Sequence, residues 1–266
     1  MHREIKDGYR VLVGLIIIFA LLIFCGYAAW EDMKTSVFWE NYIAKPVVQV
    51  DEEEIEVEEE EPVIDPDRPM IALTFDDGPS IYTDEILNTL KQYDVKATFF
   101  VLGSRVESYP DAMKKMEEIG CEIANHTYYH YDLTKLIWEQ VAGEIHNTNW
   151  AMTNVLGYGS SLVRPPYGAT TDEIRANIEY PIVMWSVDTT DWQSKDANAV
   201  ANHVLSTAQD GDVVLMHDIY ESTVEAVKIM IPILQERGFQ IVTVSEMAKQ
   251  RGITMTNGER YYNFYK

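Results

Sequence analysis

The chain has 266 residues, a formal net charge of −22 and a 47% apolar composition. That length holds one large domain or two small ones, and the apolar fraction suffices for a substantial buried core. The charge argues against a nucleic-acid partner, because no basic surface offsets phosphate repulsion, and it disfavours anionic membranes and anionic wall polymers on the same ground.

In chain order, residues 11–30 form an uncharged apolar run of twenty residues. As a helix this run spans about 30 Å, the thickness of a bilayer's hydrocarbon layer. Arg3, Lys6 and Arg10 precede it, and Glu31 and Asp32 follow it. By the positive-inside rule residues 1–10 are a cytoplasmic tail, 11–30 a transmembrane helix, and all that follows lies outside the membrane. A cleaved signal peptide with a small-residue site at Gly26-Tyr27-Ala28 is the competing reading, although its apolar region is long for that role. Lipidation at Cys25 is disfavoured by the bulky Phe24 before it. Both main readings export the rest of the chain. Residues 31–67 read as an acidic extracellular stalk: nine of the eleven residues 51–61 are acidic, and the rest of the chain carries −13 without them. So charged a stretch cannot bury enough apolar area to offset its ordering entropy, and self-repulsion extends it.

From about residue 68 short apolar runs alternate with amphipathic ones. Strands are expected at 70–75, 97–102, 121–124, 161–163, 182–187, 213–216 and 240–242. Helices are expected around 86–93, then at 110–119, 136–156, 171–178, 197–208 and 223–236. Strand alternating with helix implies an α/β domain at 68–252 with a mainly parallel sheet covered by helices. Continuous apolar strands such as ATFFVL fit that burial. Residues 253–266 are left as a C-terminal tail without an assigned role. Cys121 falls in the third expected strand and Cys25 in the N-terminal run, so these two cysteines, the only ones, support no disulfide framework.

Ionisable side chains gather just after the strand ends, which form the usual site face of parallel α/β folds. Asp76 and Asp77 follow the first strand, His126 and His130 the third, and Arg164 to Tyr167 the fourth. Asp188 and Asp191 follow the next, and His217 ends the one after. Histidines four apart can present both rings to one metal, and a neighbouring carboxylate completes a two-His, one-Asp set with a position open for water. That is the pattern of a catalytic ion, Zn²⁺ or another divalent first-row metal such as Co²⁺. Alone, His126 and His130 read as two surface histidines, and Asp76-Asp77-Gly78-Pro79 as ordinary turn chemistry. Together they make a constellation in which one aspartate ligates and the other takes a proton. His2, His146 and His203 read as structural or surface positions, and Asp172 and Asp218 as loop or cap residues. Tyr128, Tyr129 and Tyr131 fit a sugar groove or core packing.

TFDDGP at 74–79, HTYYH at 126–130, RPPYG at 164–168, DTTDW at 188–192 and LMH at 215–217 resemble, in order and spacing, the five motifs of the polysaccharide deacetylases (carbohydrate esterase family 4). The resemblance implies a deformed (β/α) barrel of about seven parallel strands. It implies that Asp77, His126 and His130 bind the metal, that Asp76 is the general base held by Arg164, and that His217 is the general acid supported by Asp191. It further implies that the Tyr167 N–H helps to hold the oxyanion and that Leu215 and Trp192 form a pocket for the acetyl methyl. The implied activity is removal of N-acetyl groups from a cell-wall polysaccharide, with N-acetylglucosamine in peptidoglycan as the first expectation. An O-acetyl esterase acting on a polymer such as xylan and a non-catalytic wall-binding module are the alternatives. The complete set of site residues argues against the module. Oligomeric state is not written in the motifs.

Overall fold

A computed structural model describes residues 64–266. The expected cytoplasmic tail, the transmembrane helix and nearly all of the stalk lie outside the described residues. Among the described residues no helix is long and apolar enough to cross a membrane.

The first strand, β1 (Met70–Asp76), is buried along its whole length and organises the sheet. One of its edges pairs with β6 (Asp212–His217) over Ile71–Asp76. The other edge is shared: β7 (Gln240–Ile241) pairs with Met70 and Ile71, and β2 (Thr98–Val101) with Thr74 to Asp76. With β3 (Glu122–Asn125) outside β2 and β5 (Val187–Asp188) outside β6, the order is β3-β2-β1-β6-β5, and every ladder is parallel. Single bridges Asn125–Val163 and Val163–Ile182 carry the pairing from β3 to β4 (Ile182–Val183). Only three residues separate β4 from β5.

Side chains alternate across the strands with a period of two. Met70 and Ala72 of β1, Phe100 of β2, Val183 of β4 and Val213 of β6 meet inside. Ile71, Leu73, Phe75, Phe99, Val101, Val214 and Met216 face outward and pack under helices. Those helices include α1 (Thr83–Gln92), burying Ile86, Leu87 and Leu90, and α3 (Pro110–Glu118), which follows the short α2 (Gly103–Val106) and buries Met113 and Met116. The longest, α4 (Trp138–Leu156), stops at Gly157, whose φ of 86° suits a left-handed cap. After α5 (Asp172–Asn177) and the single turn α6 (Asp191–Ser194) come α7 (Ala197–Thr207) and α8 (Glu221–Glu236). The last helix, α9 (Val244–Gln250), starts with a Thr243–Glu246 capping box.

Four expectations change. The strand at 161–163 shrinks to one bridged residue, Val163: the Ser160 hydroxyl bonds both the N–H and the carbonyl of Leu162, and the prolines at 165 and 166 cannot donate to a ladder. The strand at 182–187 splits, because the carbonyls of Val183 and Met184 turn to the Arg164 guanidinium. The C-terminal stretch is not a tail. Its β8 (Arg260–Tyr261) pairs with β4, and Phe264 is buried in the inner core. Gly211 lets that segment approach, since a Cβ there would lie 2.6 Å from the Phe264 carbonyl oxygen. The domain also begins a little before residue 68, where the Gln240 side chain bonds the N–H and carbonyl of Asp65 at 2.8 and 2.7 Å.

Candidate active site

On β1 the inward positions run Met70, Ala72, Thr74 and Asp76, so the alternation that fills the core also delivers a carboxylate to its upper end. Asp76 pairs in register with His217 at the end of β6. The next residue, Asp77, has φ of 71°, a left-handed conformation that breaks the alternation. Thr127, His130, Tyr167 and Thr190 also have positive φ. Non-glycine residues held there cost on the order of 1 kcal/mol each, and such strain concentrates at functional sites.

Asp77 Oδ1 lies 3.5 Å from His126 Nε2 and 3.3 Å from His130 Nε2. It is buried and has no hydrogen-bond partner. The three ligand atoms lie within 4.8 Å of one another. His126 is fixed from behind, its Nδ1 lying 2.6 Å from the Arg164 carbonyl oxygen. That bond keeps the proton on Nδ1 and leaves the Nε2 lone pair facing Asp77. Burial, against the pull of Asp77, pushes the His126 pKa down to about 3, so the ring is neutral. One unpartnered carboxylate oxygen and two imidazole nitrogens fit a divalent first-row ion.

Arg164, with no exposed surface, supports the other aspartate. Its Nη1 donates to Asp76 Oδ1 at 2.7 Å and to Thr74 Oγ1 at 2.8 Å. Nε and Nη2 reach the Val183 and Met184 carbonyls, and the guanidinium lies 4.0 Å over the Phe100 ring. Burial raises the Asp76 pKa, and Arg164 opposes that rise. Asp76 Oδ2 is left 3.6 Å from His126 Nε2.

Across from it, His217 Nδ1 lies 2.7 Å from Asp191 Oδ1, and the His217 backbone N–H donates to Asp191 Oδ2 at 2.7 Å. Asp191 is fully buried and also accepts from Thr223 Oγ1 and the Trp192 N–H. Burial works against a charged imidazole, but the bond to Asp191 and the charges of Asp191, Asp76 and Asp77 prevail and push His217 up to about 9. Leu215 lies on the inner side of β6, in register with Thr74 and nearly buried. Its carbonyl accepts from Thr189 Oγ1, which ties the loop carrying Asp191 and Trp192 to β6. Trp192 and Tyr167 are exposed, and the Tyr167 ring meets His130 edge-on at 4.7 Å. Asp188 closes a turn by accepting from the Thr190 N–H and organises that loop. His146 and His203 are exposed, away from these groups.

Two acids that sequence reasoning passed over support the site. Glu144 projects from α4, and its Oε2 accepts the N–H groups of Tyr128 and Tyr129 at 2.9 and 2.7 Å, fixing the loop between the two histidines. No local signal marks it, since a glutamate on an amphipathic helix reads as solvated. Asp218, read as a loop residue, is fully buried. It accepts from Thr83 Oγ1 through Oδ2 and from Ser80 Oγ through its carbonyl, and it lies against Gly78, whose hypothetical Cβ would meet the carboxylate at 2.1–2.4 Å. Burial raises its pKa to about 7, against the Thr83 bond. Its position directly after His217 was the available signal.

Residues 64–180 match the family model described as polysaccharide deacetylase. A peptidoglycan N-acetylglucosamine deacetylase of Bacillus cereus is 32% identical over 92% of this chain and 95% of its own length. The chain belongs to the polysaccharide deacetylase family. The peptidoglycan N-acetylmuramic acid deacetylase PdaC of Bacillus subtilis is 41% identical over 70% of the chain. The chain spans about two-fifths of that relative's length, 41%. Among solved structures, a family 4 acetyl xylan esterase from Clostridium thermocellum in complex with a cobalt ion superposes with a TM-score of 0.70 at 32% identity, over 73% of this chain and 98% of that one. The family match on this deacetylase holds Asp76, Asp77, His126, His130, Arg164 and Tyr167. Asp191, Trp192, Leu215 and His217 lie beyond the matched residues and join the others through β6 and its pairing with β1.

Proposed function

We propose that this deacetylase removes N-acetyl groups from N-acetylglucosamine residues of a cell-wall polysaccharide, peptidoglycan foremost, on a deformed (β/α) barrel of about seven strands. One observation carries the reading: the buried, unpartnered Asp77 oxygen faces two imidazole nitrogens, with an arginine-held carboxylate and a carboxylate-held imidazole on neighbouring strands beside it.

Asp77, His126 and His130 would hold a divalent ion, Zn²⁺ before Co²⁺, which would supply Lewis acidity to the acetyl carbonyl and to water. Asp76 is the general base. Its Oδ1 is committed to Arg164, so Oδ2 takes the proton of the attacking water. Arg164 opposes the rise that burial gives the pKa of that carboxylate. His217 is the general acid: its Nδ1–H is held by Asp191, so Nε2 delivers the proton to the departing nitrogen. Base and acid end adjacent parallel strands, about 4.8 Å apart, so the scissile amide fits between them. The Tyr167 N–H, set by that residue's φ of 60°, is assigned to the oxyanion. Leu215 and Trp192 line the pocket for the acetyl methyl. The B. cereus relative named for N-acetylglucosamine supports the choice of sugar.

The location completes the reading. A helix at 11–30 anchors the chain once in the cell membrane, with 31–67 as stalk and the catalytic domain outside, next to the wall. The experiment is acetate release from peptidoglycan, N-acetylglucosamine oligomers and acetylated xylan by the metal-loaded protein. Release from the first two supports the proposal. Release from xylan alone moves the protein to ester hydrolysis, as in the C. thermocellum neighbour, and release from none refutes both.

A further inference from the structure

Asp191 and Trp192 ride on a turn that is strained at both ends. The single turn α6 lies between Thr190 and Lys195, whose φ angles are 51° and 46°. One helical turn is not stable by itself, and left-handed backbone at residues other than glycine persists only where the surroundings impose it. At the entrance the Thr189 hydroxyl donates to the Leu215 carbonyl and ties the turn to β6. At the exit the Lys195 N–H donates to the Asp191 carbonyl, and the Lys195 ammonium reaches over the ring of Tyr220, 5.4 Å from its centroid.

Tyr220 belongs to the segment that carries the general acid. It follows His217 by three residues and leads into α8, and its ring lies 6.0 Å from the His217 ring. The contact between Lys195 and Tyr220 therefore clasps the α6 turn to that segment. Asp191 does not depend on the clasp, because burial and its bonds to His217 and Thr223 already fix it. Trp192 does depend on it. Its side chain is 48% exposed, so its place follows from the turn beneath it.

We infer that Lys195 and Tyr220 are positioning residues that hold Trp192 at the edge of the acetyl pocket, and so set the preference for acetyl over longer acyl groups. The inference rests on the proposed deacetylation and its methyl pocket. A wall that stays in place excludes a propionyl group, one methylene longer, and such a difference is worth about 10- to 200-fold in an apolar pocket. Opening the clasp returns part of that. A cation over a partly exposed ring accounts for about 2- to 5-fold.

The test uses the full-length, metal-loaded chain, purified in detergent, as wild type and as Lys195→Met, Lys195→Arg, Tyr220→Leu and Tyr220→Phe. kcat/KM is measured on the N-acetylglucosamine pentasaccharide and on its N-propionyl counterpart, with metal content and Tm checked for every protein. The acetyl-to-propionyl ratio should fall about 2- to 5-fold in Lys195→Met and in Tyr220→Leu. It should stay near the wild-type value in Lys195→Arg and Tyr220→Phe, which keep a cation and a ring. Combining Lys195→Met with Tyr220→Leu should lower it no further than either change alone. A ratio unchanged in Lys195→Met, including an equal loss on both substrates, overturns the inference while leaving deacetylation standing. A wild type with no preference between the two acyl groups overturns the methyl pocket together with the inference. A wild type that releases acetate from no glycan defeats the function proposal, and this inference with it.

Discussion

Replacing Asp191 with Asn tests the acid half of the site. In the wild type, burial lowers the His217 pKa, but the bond to Asp191 and the surrounding carboxylates push it up to about 9. A general acid works only while protonated, so kcat/KM falls as pH rises through that value. Asn keeps the shape of the side chain and removes its charge. Burial then dominates, and the pKa returns to the ordinary imidazole value of about 6.5 or below. At pH 8 about 3% of the variant or less is protonated, so the expected loss is roughly 30-fold or more there and shrinks below about pH 6. A bound cation lowers the imidazole pKa in both proteins, so the ratio of wild type to variant across pH carries the test. Stability follows the same sign. The folded pKa is raised, so the contribution is fully present below about 6.5 and is lost as pH rises through about 9. A shift of this size is worth about 3 kcal/mol at most, and the Tm gap between wild type and variant narrows over that window. The assay is acetate release from pH 5.5 to 9.5 at matched metal content. A ratio constant over that range refutes the reasoning.

Glu144→Ala strands the N–H groups of Tyr128 and Tyr129, each costing about 1–3 kcal/mol if left unbonded. Zn²⁺ affinity should drop about 10- to 100-fold, read by calorimetric titration; unchanged affinity would mean that the histidine loop holds itself. Gly78→Ala drives a methyl into the Asp218 carboxylate and should sharply reduce activity, with Asp218→Ala in the same chain restoring part of it. Failure of that rescue would show that the contact does not place Asp77. Phe264→Ala should destabilise the domain by about 3–5 kcal/mol, measured by urea unfolding, whereas a free tail predicts no change.

Much of this was legible in the sequence because it rests on short-range pattern. Apolar runs located β1, β2, β3 and β6, and the ionisable residues at or just after the ends of β1, β3 and β6 marked the site face. The five motifs pointed to ten residues spread over more than 140 positions of sequence. What escaped depends on contacts between distant segments. Arg164 breaks the expected strand at 182–187 by taking its carbonyls, and no local propensity encodes that. Phe264 looked like part of a polar, aromatic end until Gly211 admitted it to the core. Glu144 carries no mark on its amphipathic helix, and Asp218 read as a loop or cap residue, because the contacts that give both their roles come from distant segments. The left-handed backbone of Asp77, His130 and Tyr167 has no reliable signal in a single sequence, since strained conformations are imposed by the surroundings.

The most direct test of the central claim is titration of Zn²⁺ into metal-stripped protein while acetate release from N-acetylglucosamine oligomers is followed. The rate should rise linearly and level off at one equivalent, with Asp77→Ala flat throughout. Undiminished release from the stripped protein, or full activity in Asp77→Ala, would contradict the assignment of Asp77, His126 and His130 as the metal site.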